Sequence, residues 1–371
     1  MFPKKVVLAS VLKPVNDTRM FEKIGVSLAA TNNYDVNIIG FQTNTVEKHS
    51  KITFHPLFNF KRISFSRLFC GIKFYKQLIK LSPNLIIINT HELLWPSIIF
   101  KIIHKSKVIY DVQENHYRNL LYTASFPIII RHFLALYVRG KEYISARFIE
   151  HFFLAEKHYL SEINFIKNRF TILENKCKID LATDRKKSKK TDEIKLIFSG
   201  TLAESTGVFG AIKLAKKLHE ISKNISLTII GYSPKSSTIN RIKKETNNVN
   251  FISLKGGDQL INHSDILTEI NRSNFGIIYY PTNKSTINSI PTKLYEYLAC
   301  ELPILLQHHK EWERVCDKYK ASVLVNFEQI NTEHLLDLMY TTTFYPNGVG
   351  TELLWKTEEE KLLKITNTII S

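Results

Sequence analysis

The chain has 371 residues, with 51 Lys and Arg against 34 Asp and Glu and a formal net charge of +17. A hydrophobic content of 44% excludes disorder, 13 Gly and 11 Pro exclude a collagen-like or linker-rich chain, and four widely spaced Cys exclude a disulfide scaffold or zinc ribbon. The charge is uneven, +13 over residues 1–180 and +4 over residues 181–371, so the first half points to nucleic acid or an anionic membrane, or simply to lysine filling solvent positions.

In chain order, Lys4-Lys5 and the apolar run Val6–Leu12 imitate the start of a signal peptide. Charged Asp17, Arg19, Glu22 and Lys23 follow with no small-residue cleavage site, so the run reads as the first buried strand of a cytoplasmic protein. Further short β-branched runs fall at Val36–Phe41, Ile52–Pro56, Leu85–Asn89, Val108–Val112, Phe152–Ala155 and Thr171–Leu173, with amphipathic stretches between them. That alternation predicts a parallel sheet covered by helices. Two of the stretches, Phe58–Leu81 and Tyr117–Arg147, interleave aromatic and aliphatic residues with Lys and Arg. This suits either a core-facing helix with a solvated face or a helix lying at a membrane surface. No run has the ~20 apolar residues that a membrane span needs.

From Asn175 to Glu193 the chain is polar, basic and aperiodic, which reads as a linker. Strand runs then resume at Leu196–Phe198, Leu227–Ile230, Asn250–Ile252, Gly276–Tyr279, Ile304–Leu306 and Ser322–Val325. A helical pattern of Leu and Ile closes the chain from Glu352 to Ile370.

In open α/β sheets, ligands bind beyond the carboxyl ends of the strands. After the first strand, Asp17 or Thr18 can cap a helix and Arg19 can face a ligand, but no GxGxxG is present. Gly200-Thr201 and Gly231-Tyr232 each end a strand run with a glycine that lets backbone approach a phosphate. His91, with Glu92, follows another strand run and is a lesser candidate. The richest run is Asn288-Ser289-Ile290-Pro291-Thr292-Lys293-Leu294-Tyr295-Glu296. Pro291 suits the first turn of a helix, and Lys293 and Glu296 share one of its faces. They read either as a surface ion pair or as a diphosphate cation beside a carboxylate that bonds a ribose diol.

Pro291 to Ala299, followed by Glu301-Leu302-Pro303-Ile304, resembles the donor segment of the family 4 nucleotide-sugar glycosyltransferases of GT-B fold. Asp17-Thr18-Arg19 resembles that family's opening loop, and Tyr110-Asp111-Val112-Gln113-Glu114 its Tyr-Asp-x-His-Glu run. Phe198 to Leu202 is similar to the start of its second domain, and Trp355 with Glu358 and Glu359 to its crossover helix. The resemblance implies sugar transfer from a nucleotide diphosphate sugar, with retention and without metal, and assigns Glu296 to the donor ribose. Asn288 stands where the family has its first Glu, Gln113 where it has His, and Thr201 and Thr206 where it has the Arg and Lys that neutralise the diphosphate. Lys293, Arg19 or a Lys from the linker would then restore a cation. In a retaining reaction the donor phosphate takes the acceptor's proton; an inverting one would use Asp17 or His91 as base.

The expectation is therefore an α/β protein of two Rossmann-like βαβ domains facing a central cleft, with the C-terminal helix crossing back to the first. The boundaries are an acceptor-side domain 1–180, a linker 181–193, a nucleotide-sugar domain 194–345 and a crossover helix 346–371. The expected activity is that of a metal-independent hexosyltransferase acting on a lipid-linked or cell-surface glycan. Asn288 and Asp17 would be catalytic. Glu296, Lys293, Pro291, Thr292, Ser289, Gly200, Thr201, Gly231 and Tyr232 would bind the donor, and Arg19, His91, Gln113 and Glu114 would face the acceptor. No metal and no cofactor beyond the co-substrate are expected. The expected partners are the donor, the acceptor and an anionic membrane but not nucleic acid, which places the protein on the inner face of the plasma membrane. Two alternatives stay open: a nucleotide-sugar epimerase, and a non-catalytic glycan- or membrane-binding subunit on a transferase fold.

Overall fold

The computed structural model of the chain describes residues 3–43, 49–60, 64–122, 126–179, 193–284 and 287–371. It divides into two compact units, Met1–Lys178 with Trp355–Ser371, and Ile179–Leu354. Apart from Glu193, the linker expected over 181–193 lies outside the described residues.

The first unit holds seven strands: β1 (Lys4–Pro14), β2 (Tyr34–Phe41), β3 (Ile52–Phe58), β4 (Leu85–Ile88), β5 (Lys107–Val112), β6 (His151–Leu154) and β7 (Phe170–Ile172). They form one parallel sheet in the order β3-β2-β1-β4-β5-β6-β7. Both faces are covered, which is why these strands are continuous apolar runs rather than alternating ones. Val7, Ala9, Ile86, Ile88 and Tyr110 pack into one core layer, and Val6, Leu8, Leu85, Ile87 and Ile109 into the other. The C-terminal helix Trp355–Ile370 buries Trp355 and Leu362 in the second layer. The Trp355 indole donates to Ser27 Oγ at 2.9 Å. Buried Glu358 on that helix accepts from Lys176 Nζ at 2.7 Å, Lys361 Nζ at 2.9 Å and the Glu174 amide at 3.1 Å.

The two basic, apolar-rich stretches of this unit are not single helices. Phe58 ends β3 and Phe74 is buried in the helix Cys70–Leu81, whereas Phe65 and Phe69 lie on an exposed 3-10 turn, Phe65–Phe69. The second stretch splits into His116–Tyr122 and Ile128–Ala146. In each stretch some apolar side chains fill the core, Phe58 and Phe74 in the first and Ala135, Val138 and Ala146 in the second, while several aromatics face outward.

The second unit holds β8 (Ile194–Thr201), β9 (Ile225–Tyr232), β10 (Ile252–Gly257), β11 (Phe275–Ile278), β12 (Ile304–Gln307) and β13 (Ser322–Val325). This sheet is parallel in the order β10-β9-β8-β11-β12-β13. Each strand run expected in this half meets a strand, but β10 begins where the expected run Asn250–Ile252 ends. As an edge strand β10 pairs only with β9, so polar Ser253 and Lys255 alternate outward and Gly256-Gly257 can close it. The helix expected to begin at Pro291 spans Thr292–Ala299, with Pro291 as its extended N-cap residue.

Each sheet is built outward in both directions from its centre. The chain runs β1 to β3 one way and returns for β4 to β7, and it likewise runs β8 to β10 and returns for β11 to β13. Such reversal points, β1/β4 and β8/β11, leave crevices at the carboxyl ends of the strands where ligands bind in this architecture. No helix among the described residues is long and apolar enough to cross a membrane.

Candidate functional site

At the β8/β11 reversal point the second unit gathers several of the expected donor residues. β8 ends in Phe198-Ser199-Gly200-Thr201. Gly200 has φ +98° and no atom within 4 Å of where a Cβ would stand, so it is the backbone conformation that requires glycine, and the strand end is left open. Gly231 differs: its φ is +151° and a Cβ there would lie 1.7 Å from the Gly200 carbonyl oxygen. Glycine is thus needed there for backbone packing, and Gly231 is buried. Tyr232 ends β9 beside Thr201 and accepts from the Leu202 amide at 2.9 Å.

The helix Thr292–Ala299 presents Lys293 and Glu296 to the same crevice, and both are buried, 6% and 8% exposed. This corrects the surface ion-pair reading. Lys293 Nζ sits 3.8 Å from the Phe198 ring centroid and 5.1 Å from that of Tyr280. Among the described residues it has no hydrogen-bond acceptor. Burial lowers its pKa to about 7, partly opposed by the nearby Glu296 charge. Glu296 Oε1 lies 3.1 Å from His263 Nε2, on the helix His263–Asn271. Burial also pushes the Tyr280 and Tyr297 phenols well above their usual range, and Tyr297 Oη bonds Ser199 Oγ at 3.0 Å.

His263, Phe198 and Tyr280 are site residues that sequence reasoning missed. Aromatic residues at strand ends read as core, and nothing in the spacing links His263 to a carboxylate 33 residues later. Thr206 closes its own loop, donating to the Thr201 carbonyl at 2.6 Å and accepting from the Ala203 amide at 3.1 Å. Asn288 is exposed, and half-buried Ser289 accepts from the Trp312 indole at 2.8 Å. Residues 285–286 of this loop lie outside the described residues.

The corresponding edge of the first unit is wired differently. Arg19 was expected to face the acceptor; instead it is buried, and its Nε and Nη2 bond both oxygens of buried Asp111, at 2.9 and 2.7 Å. A planar guanidinium fork matches a carboxylate in this way, and a buried carboxylate on β5 requires such a partner. Gln113 donates to Asp111 Oδ2 at 2.6 Å and accepts from Lys13. Asp17 caps its helix by accepting from the Met20 amide at 3.0 Å. Exposed Glu114 accepts from Asn119 at 2.9 Å.

Beyond β4, Asn89, Thr90, His91 and Glu92 each carry a buried side-chain polar atom without a hydrogen-bond partner, and Glu92 also accepts from Arg67 Nε at 2.9 Å. Burial holds His91 neutral with its pKa lowered to about 3, too weak a base for proton abstraction near pH 7. Among the described residues, no group of three or more His, Cys, Asp or Glu side chains could hold a metal.

Among the described residues, 19 of the 24 exposed large apolar side chains belong to the first unit. Most lie on the 3-10 turn Phe65–Phe69 and the helices Cys70–Leu81, Leu94–His104 and Ile128–Ala146, with Phe65, Ile129 and Phe133 more than two-thirds exposed. Trp95 and Tyr137 meet edge to face at 6.4 Å, joining two of these helices.

Residues 180–339 match the family described as "Glycosyl transferases group 1". No curated protein sequence matches the chain. Among solved structures, sucrose-phosphate synthase from Thermosynechococcus elongatus aligns with TM-score 0.72 at 13% identity, over 98% of each chain. The Anabaena protein HepE, solved with UDP and glucose, aligns with TM-score 0.69 at 10% identity, over 98% of this chain and 99% of its own. An α,α-trehalose-phosphate synthase from Burkholderia xenovorans aligns with TM-score 0.62 at 10% identity, over 97% of this chain and 99% of its own. The chain therefore has the two-domain, Rossmann-like GT-B fold of these proteins, and most of its second unit matches the glycosyl transferases of group 1.

Proposed function

We propose that the chain is a glycosyltransferase that moves a sugar from a nucleoside diphosphate to a lipid-linked or cell-surface glycan at an anionic membrane. The observation that carries this reading is Lys293: a buried amine at the β8/β11 reversal point with aromatic rings near it and no acceptor among the described residues. A leaving diphosphate supplies the missing anion, and in a water-poor crevice such a contact is among the largest catalytic terms. Glu296, oriented by His263, is placed to bond a ribose diol. Gly200 and the start of the helix Thr292–Ala299 offer backbone N–H groups to phosphate oxygens. The HepE structure with UDP-glucose supports a nucleotide-sugar donor.

The donor's own phosphate takes the acceptor's proton, so the reaction proceeds with retention and needs neither a side-chain base nor a metal. The acceptor belongs to the first unit, whose apolar, basic surface suits an anionic membrane.

A thermal-shift panel of nucleotides and nucleotide sugars tests the donor half of this reading. One nucleotide should stabilise the protein, and the effect should vanish in Glu296→Ala. Indifference to every nucleotide sinks the proposal. Binding without transfer to any glycan, or turnover of the donor to an epimer, would favour the binding-subunit or epimerase alternatives. Flotation with anionic vesicles, weakening as salt rises, tests the membrane half.

A further inference from the structure

A cavity of about 360 Å³ opens at the opposite edge of the first sheet, where strands begin. Lys4, the Ser82–Asn84 turn before β4, the His104–Lys107 turn before β5, Phe100 and Ile370 line it, and no carboxylate does. Lys105 and Lys107 are exposed and have no ion-pair partner among the described residues; Lys4 donates to the Ile370 carbonyl. Lysines often gather where helices end, because the unpaired carbonyls there are negative. Here the two helix ends are already closed by backbone, the Ser82 amide to Leu78 at 2.7 Å and the Lys105 amide to Lys101 at 2.8 Å. The Ser106 hydroxyl donates to Pro83 at 2.5 Å. Among the described residues, the Lys105 and Lys107 side chains therefore have no ion-pair or helix-capping role of their own in the fold, whereas Lys4 caps the end of the helix Trp355–Ile370.

Beside the cavity, the same two helices turn aliphatic residues outward. Ile79 lies one turn before Ser82, and Ile99, Ile102 and Ile103 lie on the last turns before His104; each is about half exposed or more. Cations edging a recess, with exposed aliphatics next to them, complement a phosphate that carries acyl chains. A nucleic acid would call for aromatic platforms in place of isoleucines.

We propose that this cavity binds the phosphate of an anionic phospholipid, whose acyl chains lie along Ile79, Ile99, Ile102 and Ile103. The proposal rests on the membrane half of the function proposed above and names the headgroup contact within it. The test is co-sedimentation of the full chain with vesicles of phosphatidylcholine, alone or with 30 mol% phosphatidylglycerol. At about 1 kcal/mol per lysine near an anionic surface, Lys105→Gln with Lys107→Gln should weaken retention on the anionic vesicles about 30-fold. Nucleotide-induced stabilisation should be unchanged.

Ile102→Ser with Ile103→Ser should also release the protein. If it does while the lysine variant binds like wild type, the headgroup site falls and the membrane reading stands. Equal binding to both vesicle types, or none to either, overturns both. Titration with inorganic phosphate separates the two sources of the same chemistry. Stabilisation of wild type but not of the lysine variant, with vesicle binding of the two equal, would assign the cavity to a soluble phosphate and overturn the lipid proposal.

Discussion

Arg19 in the first unit and Lys293 in the second are buried cations near the edges where ligands bind in this fold, and the two are treated in opposite ways. In the first unit Arg19 is neutralised by Asp111 through two hydrogen bonds. In the second, Lys293 has aromatic rings beside it, one carboxylate in the vicinity and no acceptor. A buried ion is tolerated when it is paired, and it is costly when it is not. The first charge is paired within the fold, with only Arg19 Nη1 left without a hydrogen-bond partner among the described residues. The second has no such partner among the described residues, and the donor phosphate proposed above would supply it.

The contrast can be broken most forcefully at the paired site. Arg19→Met strands the Asp111 carboxylate and should cost about 3–5 kcal/mol in denaturant unfolding. Adding Asp111→Leu should return most of it, and a small loss in the single variant would show that the pair is not structural. At the unpaired site the expectation reverses. Lys293→Met should leave the fold at least as stable but lower turnover by about 10²–10³-fold, the scale of one lost contact to developing charge. A destabilised but fully active variant would erase the distinction. Glu296→Ala should weaken nucleotide binding by about 10–150-fold, the worth of a charged hydrogen bond, with little effect on stability. Equal affinity would remove Glu296 from the donor site.

The finest test is titration. With Lys293 at about 7 against the ordinary lysine value of 10.5, the unfolded chain holds a proton between those values that the folded protein lacks. Stability should therefore rise with pH across that window, by up to about 1.4 kcal/mol per pH unit from this group, and Lys293→Met should flatten the slope. A bound diphosphate favours the ammonium, so nucleotide binding near pH 8 should take up close to one proton, and affinity should fall as pH rises above 7. Glu296 and Tyr280 also face this amine, so Glu296→Gln should lower its pKa further. Calorimetry in buffers of different ionisation enthalpy measures the uptake. No uptake in wild type would mean that Lys293 does not meet the phosphate.

Much of this was legible before any coordinates. The apolar runs mark the strands because a parallel sheet buried on both faces needs unbroken Val, Ile and Leu. The exception, β10, lies at a sheet edge where polar residues and glycines are allowed. Glu296 and Lys293 could be picked out because one helix turn places them together. Their partners could not, since His263 and Phe198 come from separate elements and touch the site only through long-range packing. Arg19 was misread for the same reason: Asp111 lies 92 residues away. Gly200 and Gly231 look alike in sequence, and only the fold shows that one leaves a strand end open while the other admits a neighbouring backbone.

From the residue order follow the α/β class, the strand runs and the concentration of positive charge in the first half, because periodicity and composition are local properties. Which cation is satisfied and which is left waiting is a different kind of fact. It depends on groups far apart in the chain meeting where water is excluded, and only the folded structure decides that.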